Sequence, residues 1–167
     1  FVRASCGCPL LDLAAGGHAI GRGFNRLVYT RMFLNSMVPK ALKKLEQHPG
    51  LFDGDALVAA RDLYQFDNLF TAPLHGFRDT DDYWARASAK PVLSDIRVPA
   101  LALNALNDPF VPADSLPTAG QVGSHVTRWH TPQGGHVGFP VSLGAPGVPG
   151  HVLARPAAVG RWLLDHR

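Results

Sequence analysis

The chain has 167 residues, 46% of them hydrophobic and 17% charged, with a formal net charge of +3 and two cysteines. That length suits one domain with one core. It excludes a membrane-spanning helix, because no apolar run approaches the ~18 residues such a span needs, and it gives no nucleic-acid footprint, because Lys40, Lys43 and Lys44 form the only tight cationic group.

The three lysines read as the solvated face of a helix. The charged fraction is below the usual ~25%, so much of the surface is expected to be apolar, Gly, Pro or His, or to face a partner or a further part of a longer chain. The first residue is Phe, not Met, so either a leading piece has been removed or the segment is expected to come from a longer protein. No signal-peptide pattern opens the sequence. Cys6 and Cys8 sit one residue apart on a strand-like segment, point the same way and do not suit an ordinary disulfide. Two thiols without metal-type spacing predict a reducing, cytoplasmic setting.

In chain order, residues 1–8 read as a strand. The segment Cys8-Pro9-Leu10-Leu11-Asp12-Leu13 leaves it, and Gly16, Gly17, Gly21 and Gly23 are expected to break the chain after residue 13. Over 24–38, Phe24, Leu27, Val28, Met32, Phe33, Leu34 and Met37 recur at helical spacing. Pro39 is expected to end that helix and open the next, which stops at Pro49-Gly50. Residues 55–69 read as a third helix, and Thr80, Asp81 and Asp82 mark the start of a short fourth.

The pattern changes at Val98-Pro99. Residues 100–106 form a short apolar run bounded by turn residues, as a buried parallel strand does. Residues 126–131 form the next strand, 140–150 an irregular surface segment, and 153–166 a final helix with Leu153, Val159, Trp162 and Leu163 inward. The three strands are expected to lie side by side and parallel, with the first at an open edge.

Two loops carry candidate chemistry. The loop after the second strand presents Asp108 and the loop after the third presents His136. In α/β folds, sites form at the carboxyl ends of strands. A carboxylate beside an imidazole fixes its tautomer and stabilises its charged form, the third role in a Ser-His-Asp triad. Acid followed by histidine is the chain order of α/β-hydrolases. Pro109 has no N–H to continue a ladder, and Gly134 and Gly135 let the backbone turn before His136. Either loop alone fits a plain turn; the two on consecutive strand ends, in this order, point to a triad. Asp114, in a helical first turn after Pro112, is the rival acid.

These segments resemble YheT-like α/β-hydrolases. The resemblance rests on Pro-Ala-Leu-Ala-Leu-Asn-Ala-Leu-Asn-Asp-Pro-Phe-Val-Pro at 99–112 and Gln-Gly-Gly-His-Val-Gly-Phe at 133–139. It extends to Pro-Leu-Leu-Asp-Leu at 9–13, Gly-Phe-Asn-Arg at 23–26, Phe-Asp-Asn at 66–68, Thr-Ala-Pro-Leu-His-Gly-Phe at 71–77 and Tyr-Trp-Ala-Arg-Ala-Ser at 83–88. It implies the C-terminal part of an α/β-hydrolase fold, with parallel strands, flanking helices and a helical cap segment. Residues 1–167 would be a partial domain, with a cap-like insert at 14–90 and the last two strands and C-terminal helix at 91–167. It implies a serine esterase or lipase-like enzyme acting on a small-molecule ester or acyl lipid, with Asp108 as triad acid, His136 as general base, and no stable membrane insertion.

The family nucleophile lies in a Gly-x-Ser-x-Gly elbow, and serines 5, 36, 88, 94, 115, 124 and 142 all lie outside such a pattern. This chain by itself is therefore expected to be inactive, with a non-catalytic remnant or interaction piece as the alternative. No cofactor is implied. A metal site from His125, His130 and His136 fits no ligand framework, and Cys6 and Cys8 lie far away in sequence, so no metal is expected. His75 reads as structural, and Phe70, Phe77 and Trp84 as core.

Overall fold

A computed structural model describes residues 3–139 and 154–164; the expected segment 140–150 and Leu153 lie outside the described residues. Strands β1 (Ala4–Gly7), β2 (Ala100–Ala105) and β3 (Val126–Thr131) form one parallel sheet in the order β1-β2-β3. Ser5 lies opposite Leu101, and Leu101 opposite Thr127. Strand β2 is buried from Leu101 to Ala105, which explains its nearly continuous apolar run, interrupted by the buried Asn104. Successive side chains enter opposite faces. Leu103 and Ala105 pack with Cys8, Phe139 and Val159, while Ala102 packs with Leu11 and Leu93. Leu93 is held in a 3-10 turn, Lys90–Asp95. Among the described residues β1 pairs only with β2, and its Ala4, Ser5 and Cys6 are exposed, as an edge strand should be.

Helix α8 (Ala154–Leu164) turns Val159 onto the β2 cluster, and the Arg3 guanidinium donates to the Trp162 carbonyl at 3.1 Å. Leu163, expected inward, is exposed. It lies in the last turn of α8, a full turn beyond Val159, the residue of this helix that packs on the cluster.

The chain divides into two compact units: Phe1–Leu11 with Ala89–Arg167, which holds the sheet, and Asp12–Ser88, which is helical. In the helical unit, α1 (Leu13–Ile20) starts where the Asp12 carboxylate accepts from the Ala15 N–H at 3.0 Å. Gly16 and Gly17 lie inside α1 and do not break it. A Cβ on Gly17 would sit 2.4 Å from the Trp84 ring, so the glycine gives that indole its place.

Helix α2 (Gly23–Asn25) runs through a π-helical stretch (Arg26–Thr30) into α3 (Arg31–Gln47). The expected buried stripe fails here. Phe24, Leu27, Val28 and Met32 are exposed, and of the apolar residues in the expected stripe Leu34 is the buried one. The π stretch changes the residues per turn, so an apolar spacing read at the α-helical period loses its phase.

Pro39 lies inside α3 and does not end it. Proline cannot donate to the Asn35 carbonyl, but Asn35 and Pro39 are both on the exposed face, where water can serve that oxygen. Meanwhile Leu34 and Ala41, on either side, are anchored in a cluster with Leu57 and Phe66. The helix stops at Gln47, and Gly50 takes φ +82° in the turn beyond it. Lys40, Lys43 and Lys44 are exposed on α3 as expected.

The single helix expected over 55–69 is two: α4 (Gly54–Val58) and α5 (Leu63–Phe66). Asp62 breaks it, because its extended backbone and its carboxylate, accepting from the Gln65 N–H at 2.9 Å, start a new helix. A second π-helical stretch (Asp67–Thr71) leads into α6 (Ala72–Leu74). Helix α7 (Thr80–Ala87) is capped by Asp79 rather than Thr80; the Thr80 hydroxyl donates to the Tyr64 carbonyl instead.

Candidate active site

Asp108 follows the end of β2 and His136 follows the end of β3, adjacent parallel strands. The Asp108 side chain has no exposed surface. A buried carboxylate needs partners for its oxygens. Its Oδ1 accepts from the Phe110 and Val111 N–H groups at 2.8 and 3.3 Å, and its Oδ2 lies 3.0 Å from His136 Nδ1. Pro109 is where the chain turns so that these two N–H groups fold back on the carboxylate. The Phe110 ring meets the imidazole edge-on, with centroids 4.8 Å apart. The aspartate is thus fixed from behind, and the imidazole is held by the carboxylate and by the Phe110 ring.

The two loops are also tied to each other. The Asn107 amide accepts from the Gly135 N–H at 2.9 Å and donates to Gln133 Oε1 at 2.7 Å. Sequence reasoning missed Asn107; its only signal was its place beside Asp108. The two glycines act differently. Gly135 has φ +59°, a conformation that suits glycine, whereas Gly134 is needed for space. A Cβ there would lie 2.7 Å from Phe139 Cδ1 and 2.8 Å from Ala105 Cβ. Phe139 is buried and its N–H returns to the Gly134 carbonyl at 2.8 Å, closing the loop around His136. Gly134→Ala is therefore expected to lower stability by about 1–3 kcal/mol and to loosen the Asp108–His136 contact. A melt matching the parent, with an unshifted His136 imidazole NMR signal, would count against it.

Asp114 is exposed in a short 3-10 turn (Ala113–Ser115), and the carboxylate at His136 is that of Asp108. His75 is exposed, and its N–H closes α6 on the Thr71 and Ala72 carbonyls. Trp84 is core. His125 is exposed, whereas His130 is half-buried. Its Nε2 is buried and has no hydrogen-bond partner among the described residues. Burial, with the Arg128 guanidinium adding to it, pushes the His130 imidazole below the ordinary histidine range.

A histidine with a lowered folded pKa takes up its proton at higher pH when unfolded. Its contribution is then complete above about pH 6.5 and is lost as pH falls through the lowered value. The melting temperature should therefore drop from pH 7 to pH 5 less steeply in His130→Gln than in the parent. Parallel curves would contradict this.

Cys8 is the residue that sequence reasoning placed furthest from the mark. Cys6 is exposed while Cys8 is buried, so the two do not point the same way. The backbone turns out of β1 at Cys8, which has φ +54°. Its thiol donates to the Gly135 carbonyl at 3.8 Å.

Known proteins share this stretch of sequence. The chain is 36% identical over 129 residues to the "Putative esterase YheT" of Escherichia coli, covering 76% of this chain and 38% of that protein. The chain belongs to the YheT-like α/β-hydrolase family. It is also 34% identical over 131 residues to mouse "Phospholipase ABHD3", covering 75% of this chain and 31% of that protein. With the "Monoacylglycerol lipase" of Saccharomyces cerevisiae it shares 34% identity over 105 residues, 62% of this chain and 23% of that protein. The chain thus spans well under half the length of these relatives. No protein-family model and no solved structure matches it. The parallel sheet with its flanking helices is the α/β-hydrolase fold in the part this chain spans. Among the described residues no helix is long and apolar enough to cross a membrane.

Proposed function

We propose that this chain supplies the acid and the general base of a serine hydrolase that cleaves carboxylic esters. The nucleophile would lie in a part of the protein outside this sequence. The observation that carries the reading is the 3.0 Å contact between Asp108 Oδ2 and His136 Nδ1 at the ends of adjacent parallel strands. With Nδ1 donating to the carboxylate, the other ring nitrogen is left as the base. It would take the proton of a serine hydroxyl as that oxygen attacks the ester carbonyl, and return it to the leaving alkoxide. The names of the relatives, an esterase and two lipases, support esters and acyl lipids as the substrate class. We read the helical unit Asp12–Ser88 as the family's cap, whose apolar side chains suit an acyl chain. Two cysteines outside any disulfide suit a cytoplasmic setting.

The test has two arms. DNA upstream of the codon for Phe1 should encode a Gly-x-Ser-x-Gly segment, and the longer polypeptide should hydrolyse p-nitrophenyl butyrate and label with a fluorophosphonate. The present chain alone should do neither, because a base without a hydroxyl to activate and without oxyanion donors has no acyl chemistry to perform. Stoichiometric labelling of a serine in the present chain would overturn the assignment. A longer polypeptide that lacks such a segment would favour the non-catalytic alternative.

A further inference from the structure

We propose that Cys8, Asp108 and His136 form a binding site for Zn²⁺, whose occupancy takes His136 out of its role as base. The thiol, one carboxylate oxygen and one imidazole nitrogen all lie within 4.8 Å of one another. Sulfur, imidazole and carboxylate together form a zinc-type donor set, bound at about 2.0–2.3 Å with donors ~3.3–3.6 Å apart in a tetrahedron. The Asp108–His136 pair, at 3.0 Å, would open by a few tenths of an ångström, and the thiol would close on it.

The three donors are already collected by the fold. Cys8 is held by its N–H on the Leu103 carbonyl at 2.7 Å and packs against Ala105 and Phe139. Asp108 is held by two backbone N–H groups. Two of the three residues are buried and His136 is partly exposed, so the ion would enter from the His136 side. The esterase reading uses Asp108 and His136 and gives the Cys8 thiol, which donates to the Gly135 carbonyl, no part in the chemistry.

Binding is a proton exchange with no redox step. The Cys8 S–H bond breaks, its proton goes to solvent, and the sulfur electron pair forms the bond to zinc. The imidazole binds as the neutral ring through one nitrogen and keeps its single proton on the other. Whichever nitrogen binds, the ring can no longer combine a free lone pair with the Asp108 hydrogen bond. Affinity rises with pH because a proton is released.

The test is titration of the present chain with Co²⁺, a coloured stand-in for zinc, with no ester present, so its outcome is separate from that of the hydrolase reading. One equivalent should bind, giving a near-ultraviolet thiolate-to-cobalt charge-transfer band that Zn²⁺ abolishes. Cys6→Ser, in which Cys8 is the remaining thiol, should keep the band at full intensity. Cys8→Ser should lose it, and both Cys8→Ser and His136→Gln should bind at least tenfold more weakly. The Cys6→Ser result assigns the ligand even where Cys8→Ser folds poorly. No binding by the parent chain, or a band that requires Cys6, overturns the proposal.

Discussion

Asp108→Asn, made in the longer polypeptide that carries the nucleophile, is expected to lower kcat by about 10³–10⁴ at neutral pH with little change in KM. The reason lies in the way the carboxylate is used. Oδ1 accepts two backbone N–H groups, at 2.8 and 3.3 Å, and an amide oxygen can do the same, so the loop should keep its shape. The second position, 3.0 Å from His136 Nδ1, then becomes an NH₂ donor. The imidazole must accept there, which puts its own proton on Nε2, the nitrogen that must be free to act as base. The loss is therefore one of tautomer and charge, not of fold. His136→Gln should fall at least as far. Asp114→Asn should stay within twofold of the parent, since that carboxylate is exposed in a separate turn. Equal losses in the Asp108 and Asp114 variants would refute the acid assignment.

The largest effect on stability is expected at Trp84. Its indole is buried, meets His18 and Tyr64 edge-on with centroids 5.4 Å away in each case, and fills the space that Gly17 leaves open. Its Nε1 donates to Asp67 Oδ2 at 2.9 Å. Burial pushes the Asp67 carboxyl up, and hydrogen bonds from Thr71 and Trp84 pull it back. Trp84→Ala removes the packing and one of those donors together. The expected cost is about 3–5 kcal/mol, the range for an aromatic removed from a core. Out of the ~5–15 kcal/mol that holds a typical domain, that is enough to speed amide exchange in α1 and α7 by about a hundredfold or more. Trp84→Phe, which keeps most of the area and loses the N–H, should fall between. A melt of Trp84→Ala within a degree or two of the parent would show that the indole is not the anchor of this unit.

Much of the sheet and the Asp108–His136 pair was legible because the signals are local. A mostly apolar run of seven residues between turn formers, 100–106, reads as a buried strand. Asp-Pro and Gly-Gly-His ending such strands put their side chains at one end of a parallel sheet. The short fourth helix was legible for the same reason, although its cap moved one residue, to Asp79, because Thr80 found a partner in Tyr64. The helical unit was less legible. Apolar spacing assumes a constant period, and the π-helical stretch over Arg26–Thr30 changes it, so Phe24, Leu27 and Met32 came out exposed. Pro39 is a helix breaker by its own chemistry, yet Leu34 and Ala41 are both anchored in one cluster, and packing outweighed the lost hydrogen bond.

The sequence by itself determined the order of the strands and the meeting of Asp108 with His136 at their ends, because each depends on a few consecutive residues. It could not determine what stands beside them. Asn107 reaches Gly135 across 28 positions and the Cys8 thiol reaches the same glycine across 127. Neither contact leaves a mark on its neighbours in the chain. Parallel pairing aligns β1 with β2 and β2 with β3, and the backbone turn at Cys8 swings its side chain inward while that of Cys6 stays at the surface. Two cysteines one residue apart therefore meet different chemistry, and only the tertiary structure decides which of them faces the imidazole.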